Sequence, residues 1–144
     1  MAVHFDPAQF VRVTGDAVIA ADSEGAIIFW NAAAGRIFGY TDAEALGRSL
    51  DLIIPERQRE RHWHGYGRVM ETGETRYGTD VLRVPALHKD GRALSIAFTV
   101  ALLRGPDDSS WIIAATIRDE TARWQEERAL KQRVTALEAK SRSQ

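Results

Sequence analysis

The chain has 144 residues, 44% of them hydrophobic, with 19 Lys+Arg against 20 Asp+Glu and no cysteine. That length is enough for one domain with a real core, and the balanced charge supplies no basic face for a nucleic acid. The lack of cysteine excludes disulfides, thiolate metal sites, Cys nucleophiles and cysteinyl photochemistry.

The N-terminal MAVHFDPAQF has no basic stretch followed by an apolar one, so it is not a signal peptide. No apolar run approaches the roughly 20 residues of a membrane span. A cytosolic protein with no direct membrane or nucleic-acid partner is expected. Asp6-Pro7 is a helix start, with Asp as N-cap and Pro in the first turn. Phe10, Val11 and Val13 give this short helix an apolar side, and Gly15-Asp16 stops it. Ala17 to Asp22 reads as a strand, and Ala26 to Trp30 as its partner across the Ser23-Glu24-Gly25 turn. Asn31 caps a helix from Ala32 to Phe38 that Gly39 ends. Asp42 caps a second short helix, Ala43 to Leu46, closed by Gly47, and Leu50 to Ile54 is an apolar connector.

Pro55 opens a longer helix running to about Glu71, left through Thr72-Gly73-Glu74. Three strands follow: Thr79 to Leu87, Ala93 to Leu103 after the turn His88 to Arg92, and Trp111 to Arg118. In the second of these Leu94, Ile96, Phe98, Val100 and Leu102 share one face. In the third, Trp111, Ile113, Ala115 and Ile117 do. Gly105-Pro106-Asp107-Asp108 is the turn between them, a solvated loop rather than a cation site. Beyond Asp119 the chain is charged, Ala-rich and free of Gly and Pro, hence helical. Leu130, Val134 and Leu137 form about one heptad of seam, which suits pairing with another helix. The alternative is a helix packed on its own domain. The seam stops near the end of the chain, as in a module that feeds something longer.

Five strands with helices grouped on one face make an α+β domain. In this order the pieces resemble a PAS domain. The residues that carry the likeness are Asp22-Ser23-Glu24-Gly25, Trp30-Asn31-Ala32-Ala33-Ala34, Phe38-Gly39-Tyr40, Asp42-Ala43-Glu44-Ala45-Leu46-Gly47, Lys89-Asp90-Gly91 and Arg118-Asp119-Glu120-Thr121. The resemblance implies a five-stranded antiparallel sheet with short helices on one face and a C-terminal signalling helix. It divides the chain into an N-terminal capping helix over 1–15, a core over 16–119 and an output helix over 120–144. It also implies a non-catalytic sensory or interaction module. Its partners are then a second copy, met through the N- and C-terminal helices, and an output domain such as a histidine kinase of a two-component system.

Two histidines stand in the long helix. His62, Tyr66 and Val69 fall on one face, and His64 points roughly 200° away, toward solvent. His62 and His64 therefore diverge too far to chelate a metal ion. This segment also resembles the haem-binding PAS domains of rhizobial oxygen-sensing kinases, through Arg59-Glu60-Arg61-His62, Thr72-Gly73-Glu74 and Lys89-Asp90-Gly91. That likeness implies haem with His62 as the iron ligand, Arg68 as a propionate partner, and Phe98, Val100 and Ile117 on the distal side. Tyr66, Val69 and Ile113 complete the expected cavity. One position departs from the pattern: where those sensors carry an Arg on the next strand, this chain has Leu82, with Arg83 beside it on the other face. Tyr77-Gly78-Thr79-Asp80 replaces their Gly-rich approach. The alternative is a half-buried imidazole, with Trp63, Phe98 and Trp111 filling the space a haem would need. Flavin is not expected, because the photoreceptor subclass needs a Cys in this helix. The four Trp read as packing residues.

No Ser-His-Asp set, Gly-rich phosphate loop or His-x-x-x-His pair suggests catalysis. Asp119 and Thr121 are the expected transmission residues, with Trp124 beside them. An aspartate here caps the exit helix, and in PAS domains this junction couples sheet to output helix.

Overall fold

The computed structural model describes residues 2–75, 78–107 and 110–143. Tyr77 and Asp108, named above in turns, lie outside the described residues. Asp6 caps α1 (Pro7–Val13), its carboxylate accepting from the Ala8 N–H at 3.0 Å. The apolar side expected for this helix packs only in part: Val11 is half-buried, and Phe10 meets the Phe5 ring. Phe10 is 53% exposed, and no residue of α1 is buried. Two antiparallel strands follow, β1 (Ala17–Ala21) and β2 (Ile27–Trp30), then α2 (Ala32–Phe38).

α3 (Asp42–Ala45) is capped one residue earlier than expected. Thr41 accepts from the Glu44 N–H, and Glu44 accepts from the Thr41 N–H at 2.9 Å. Two neighbouring residues could cap, and the glutamate three places after Thr41 selects it. Leu50–Ile53 form a 3-10 turn, leading to α4 (Glu56–Thr72). The strands β3 (Leu82–Leu87), β4 (Ala93–Arg104) and β5 (Trp111–Asp119) and the exit helix α5 (Thr121–Arg142) complete the chain. β3 begins at Leu82, not Thr79, because the ladder with β4 starts at Leu82 opposite Phe98. Gly78 to Asp80 precede it as bends, and glycine and aspartate are poor strand formers.

The sheet order is β2-β1-β5-β4-β3, all antiparallel. The register puts Ile117 opposite both Ala17 and Phe98, and Ala115 opposite both Ile19 and Val100. Alternation therefore carries the predicted apolar rows of β4 and β5 onto one face. Ile19, Ile27, Trp30, Ile96 and Ile117 are buried there with Ala33, Ala34 and Phe38 of α2.

Asn31 is the buried polar group of this core, only 4% exposed. Its Oδ1 accepts from the Val18 N–H at 2.9 Å and the Ala34 N–H at 3.0 Å. Its Nδ2 donates to Val11 O at 2.9 Å and Asp16 O at 3.1 Å. One side chain thus joins the end of α1, the start of β1 and the start of α2. Replacing it strands several backbone groups at once, each costing about 1–3 kcal/mol when buried. Asn31→Ala should lower unfolding free energy by about 2–4 kcal/mol in denaturant titration. Asn31→Asp, which cannot donate to the two carbonyls, should recover little of that. Loss of less than about 0.5 kcal/mol by Asn31→Ala would contradict this role.

Candidate functional site

Helix α4 carries the residues of chemical interest. Pro55 precedes it without a side-chain cap, and Gly73 closes it in the left-handed region at φ 70°. The helix is pinned near its middle to the β1–β2 turn. The Trp63 ring lies on Gly25, whose φ is 83°, where any Cβ would sit 2.1 Å from the ring. Gly25 therefore serves twice, in turning the chain and in admitting the indole. Trp63 Nε1–H donates to Asp51 Oδ1 at 2.7 Å, tying the helix to the 3-10 turn. The Tyr66 hydroxyl donates to the Asp22 carbonyl. Burial pushes the Tyr66 phenol well above its usual range. Arg59 closes the same corner, donating to Ile54 O at 3.0 Å and Asp51 O at 3.3 Å.

His62 faces inward and His64 outward, as the helical spacing expects. The His62 ring stands 4.7 Å from the Trp63 ring and 5.7 Å from that of Tyr66. Its Nδ1 is buried and accepts or donates no hydrogen bond. Burial lowers its pKa, opposed by the Asp51 charge, so the imidazole is held neutral.

Of the residues expected around it, Tyr66 and Ile117 are buried in one cluster, with Phe98 and Ile113 packed against that cluster. Val69 and Val100 are half-buried, and Arg68 is exposed. The side chains across which a haem macrocycle would lie therefore pack on a shared core. The Tyr66 hydroxyl is engaged by Asp22, and Trp63 is held between Gly25 and Asp51. A neutral inward imidazole suits iron, but this packing does not fit the macrocycle. Among the described residues no group of three or more His, Cys, Asp or Glu could hold a metal ion.

The second part of the site is the strand-to-helix junction. Asp119 Oδ1 accepts from the Thr121 N–H at 2.9 Å and from the Thr121 hydroxyl. Thr121 Oγ1 in turn accepts from the Ser95 N–H at 3.0 Å. The Glu120 N–H donates to Ser95 O at 2.8 Å. Asp119, expected as the cap, ends β5 one residue before the N-cap position, which Glu120 occupies without a side-chain cap, and it reaches the Thr121 N–H from there; Ser95, on a neighbouring strand, had no local signal. Arg83 Nε meets Glu120 Oε2 at 3.1 Å. These two residues, with Pro85, Ser95, Arg123 and Trp124, line a groove between the sheet edge and α5. Trp124 is 45% exposed, so it packs back only in part. Beyond it α5 leaves the domain, with Leu130, Val134 and Leu137 at 60%, 46% and 63% exposure. No described helix is long and apolar enough to cross a membrane.

A family model described as PAS fold matches residues 6–119. An uncharacterized protein of Azorhizobium caulinodans is 37% identical over 116 residues, 80% of this chain and 16% of that protein. Sensor protein FixL of Bradyrhizobium diazoefficiens is 40% identical over 47 residues, 33% of this chain and 9% of FixL. The chain thus spans a small part of the curated relatives it matches. Among solved structures, the PAS domain of a Colwellia psychrerythraea protein superposes with a TM-score of 0.68 at 23% identity, covering 80% of this chain and 94% of that one. A sensory box histidine kinase/response regulator from Burkholderia thailandensis gives a TM-score of 0.64 at 18% identity, covering 92% and 97%. At these identities the two structures show the fold alone.

The His62 environment makes stability depend on pH. Its folded pKa lies below the ordinary imidazole value of 6.5, so the unfolded chain binds the proton more readily. Its contribution is whole above pH 6.5 and is lost as pH falls below that, toward the folded value. Glu44, held at about 2 by the hydrogen bond from Lys89, acts only in a more acid window below its ordinary value of 4.5. The urea midpoint should therefore fall between pH 7.5 and pH 5.5, and His62→Leu should flatten that slope. An unchanged slope in His62→Leu would refute the assignment.

Proposed function

The chain belongs to the PAS family, and from that membership we propose a sensory module that dimerises and passes its state to an output domain through α5. A sensory signal-transduction role is the family-level function. No enzyme family is indicated by the comparisons. The observation that carries the finer reading is the junction. Through Ser95, Thr121 and Glu120 the first turn of α5 is stitched to β4, and through Asp119 it continues β5. A change in the relation of these two strands alters the hydrogen bonds that set the helix, so Asp119 and Thr121 convert sheet movement into helix rotation or fraying.

The exposed seam of Leu130, Val134 and Leu137 supports the second half of the reading. Large apolar side chains at heptad spacing on an otherwise charged helix bury best against an identical helix. A seam this short is marginal alone. The exposed Phe10 and Val13 of α1 then add to the same contact between two copies. The output domain is of the kind found in histidine kinases, by analogy with sensor protein FixL and the Burkholderia sensory box kinase.

A second reading is a ligand-free interaction and dimerisation domain. It is favoured by the packing of Tyr66, Phe98, Ile113 and Ile117 against one core, which leaves the signal to a partner protein rather than a small molecule. Both readings share the dimer. Light scattering coupled to size exclusion should give a dimer for the whole chain. Deleting the residues beyond Trp124 should shift the mass toward a monomer, while circular dichroism still reports a folded sheet. A truncated chain that stays fully dimeric at micromolar concentration would rule out α5 as the pairing element.

A further inference from the structure

The α4 helix touches the rest of the domain at a second place, and that place leads directly to the exit helix. Gly73, the left-handed residue that ends α4, lies against the Trp111 ring. A Cβ at Gly73 would stand 2.6 Å from Trp111 Cζ2 and 2.9 Å from Cε2. Only glycine therefore gives the ring this seat, and only glycine adopts the φ of 70° without strain. The Arg104 guanidinium stands over the same ring, 3.9 Å from its centroid. Arg104 and Trp111 are direct cross-strand partners at the start of the β4–β5 ladder. The indole is thus gripped by the end of a helix and by the neighbouring strand.

Trp111 is the first residue of β5, and Asp119 is the last. The strand between them spans about 26 Å at about 3.3 Å per residue. It is paired on both sides, with β1 through Ala17–Ala21 and with β4 through Ile96–Arg104. Ladder bonds on both edges oppose a local bend in β5, so a displacement at Trp111 is shared along the strand and its partners rather than absorbed at one residue. At its far end Asp119 holds the Thr121 N–H that starts α5. β5 therefore joins the C-terminal end of α4 to the N-terminal end of α5.

We propose that Trp111, seated on Gly73, is the contact that transmits displacement of α4 to α5, with β5 as the rod. The proposal rests on the reading above that the signal leaves through α5, and it adds the residue by which the signal enters β5. Arg104 covers the ring, so movement of Gly73 bears on an indole that is held from a second side. The ring is seated on the helix end in this structure, and the proposed transmission requires a second arrangement in which it is lifted from it.

The test uses the whole chain and amide hydrogen exchange of residues 121–124, read by mass spectrometry or NMR. Gly73→Ala lifts the ring without altering the strand. It should speed exchange in that first turn by roughly threefold or more. In a Trp111→Val background, which keeps a strand-forming residue, Gly73→Ala should then change exchange at 121–124 by less than its effect in the wild-type background. Tyr66→Phe frees α4 from Asp22 while leaving Gly73 in place, and repeats the comparison if Gly73→Ala folds poorly. An equal effect of the α4 substitution in both backgrounds would overturn the role of Trp111 and leave α5 as the output. No effect at 121–124 in either background, with both variants folded, would likewise overturn it. The reading of α5 as pairing and output element would then stand or fall on the truncation experiment, which does not involve Trp111.

Discussion

The constraint on which the rest of this domain depends is the complete satisfaction of one buried amide. Asn31 uses both hydrogens and both acceptor sites of its side chain, on the backbone of α1, β1 and α2. Its own N–H also meets Val18 O at 3.2 Å. A buried network in which every member is paired fixes one geometry, whereas a partly paired one is costly. The geometry fixed here is the position of β1 beneath α2. Because β1 pairs along its length with β5, the same amide positions the strand from which the exit helix departs.

The helix that carries His62 is held by different means. It meets the sheet's turns and ends: Trp63 on Gly25, Tyr66 on Asp22, Gly73 on Trp111. Two of these three contacts need a glycine at positive φ, so they specify position closely while burying little of the helix backbone. Elements attached at a few points belong to the less stable end of a domain and move first. Surface ion pairs add little to this attachment. Arg83 with Glu120 and Lys89 with Glu44 lie at the surface, where solvent screens such pairs. Their value lies in orienting the start of α5 and the β3–β4 turn. The domain therefore has a frame around Asn31, an α4 seated on turns and strand ends, and one strand that touches both α4 and the exit helix.

Much of the frame was legible because it is written in local signals. The alternation in β4 and β5 placed Phe98 and Ile117 on one face, and the ladder pairs them. Asn31 and Gly39 announced helix boundaries through capping chemistry that acts within a few residues. The errors have equally local causes. Thr41 and Asp42 are both good caps, and the deciding signal was Glu44 three residues after Thr41. Phe10 and Val13 gave α1 an apolar side, but a pattern says which residues are apolar, not whether the chain itself supplies a surface to cover them. What the sequence could not show is distant pairing. Asn31 reaches Val11, Trp63 rests on Gly25, and the Ser95 N–H donates to Thr121, each across stretches of chain that carry no mutual signature. At the candidate site the spacing put His62 inward correctly. It could not say that Tyr66 and Trp63 would be engaged by Asp22 and Asp51, which is what closes the space around the imidazole.

The central claim is that the Asp119–Thr121–Ser95 junction sets the geometry of paired exit helices. The most direct measurement is the distance between spin labels at Gln132 of two copies, an exposed position on α5, by double electron–electron resonance. The account predicts one narrow distribution for the native junction. It predicts a broadened or shifted one for Thr121→Val, which removes the hydroxyl that bonds Ser95 and Asp119, with the sheet still folded. The same distribution in both proteins, or no dipolar coupling in the native one, would contradict it.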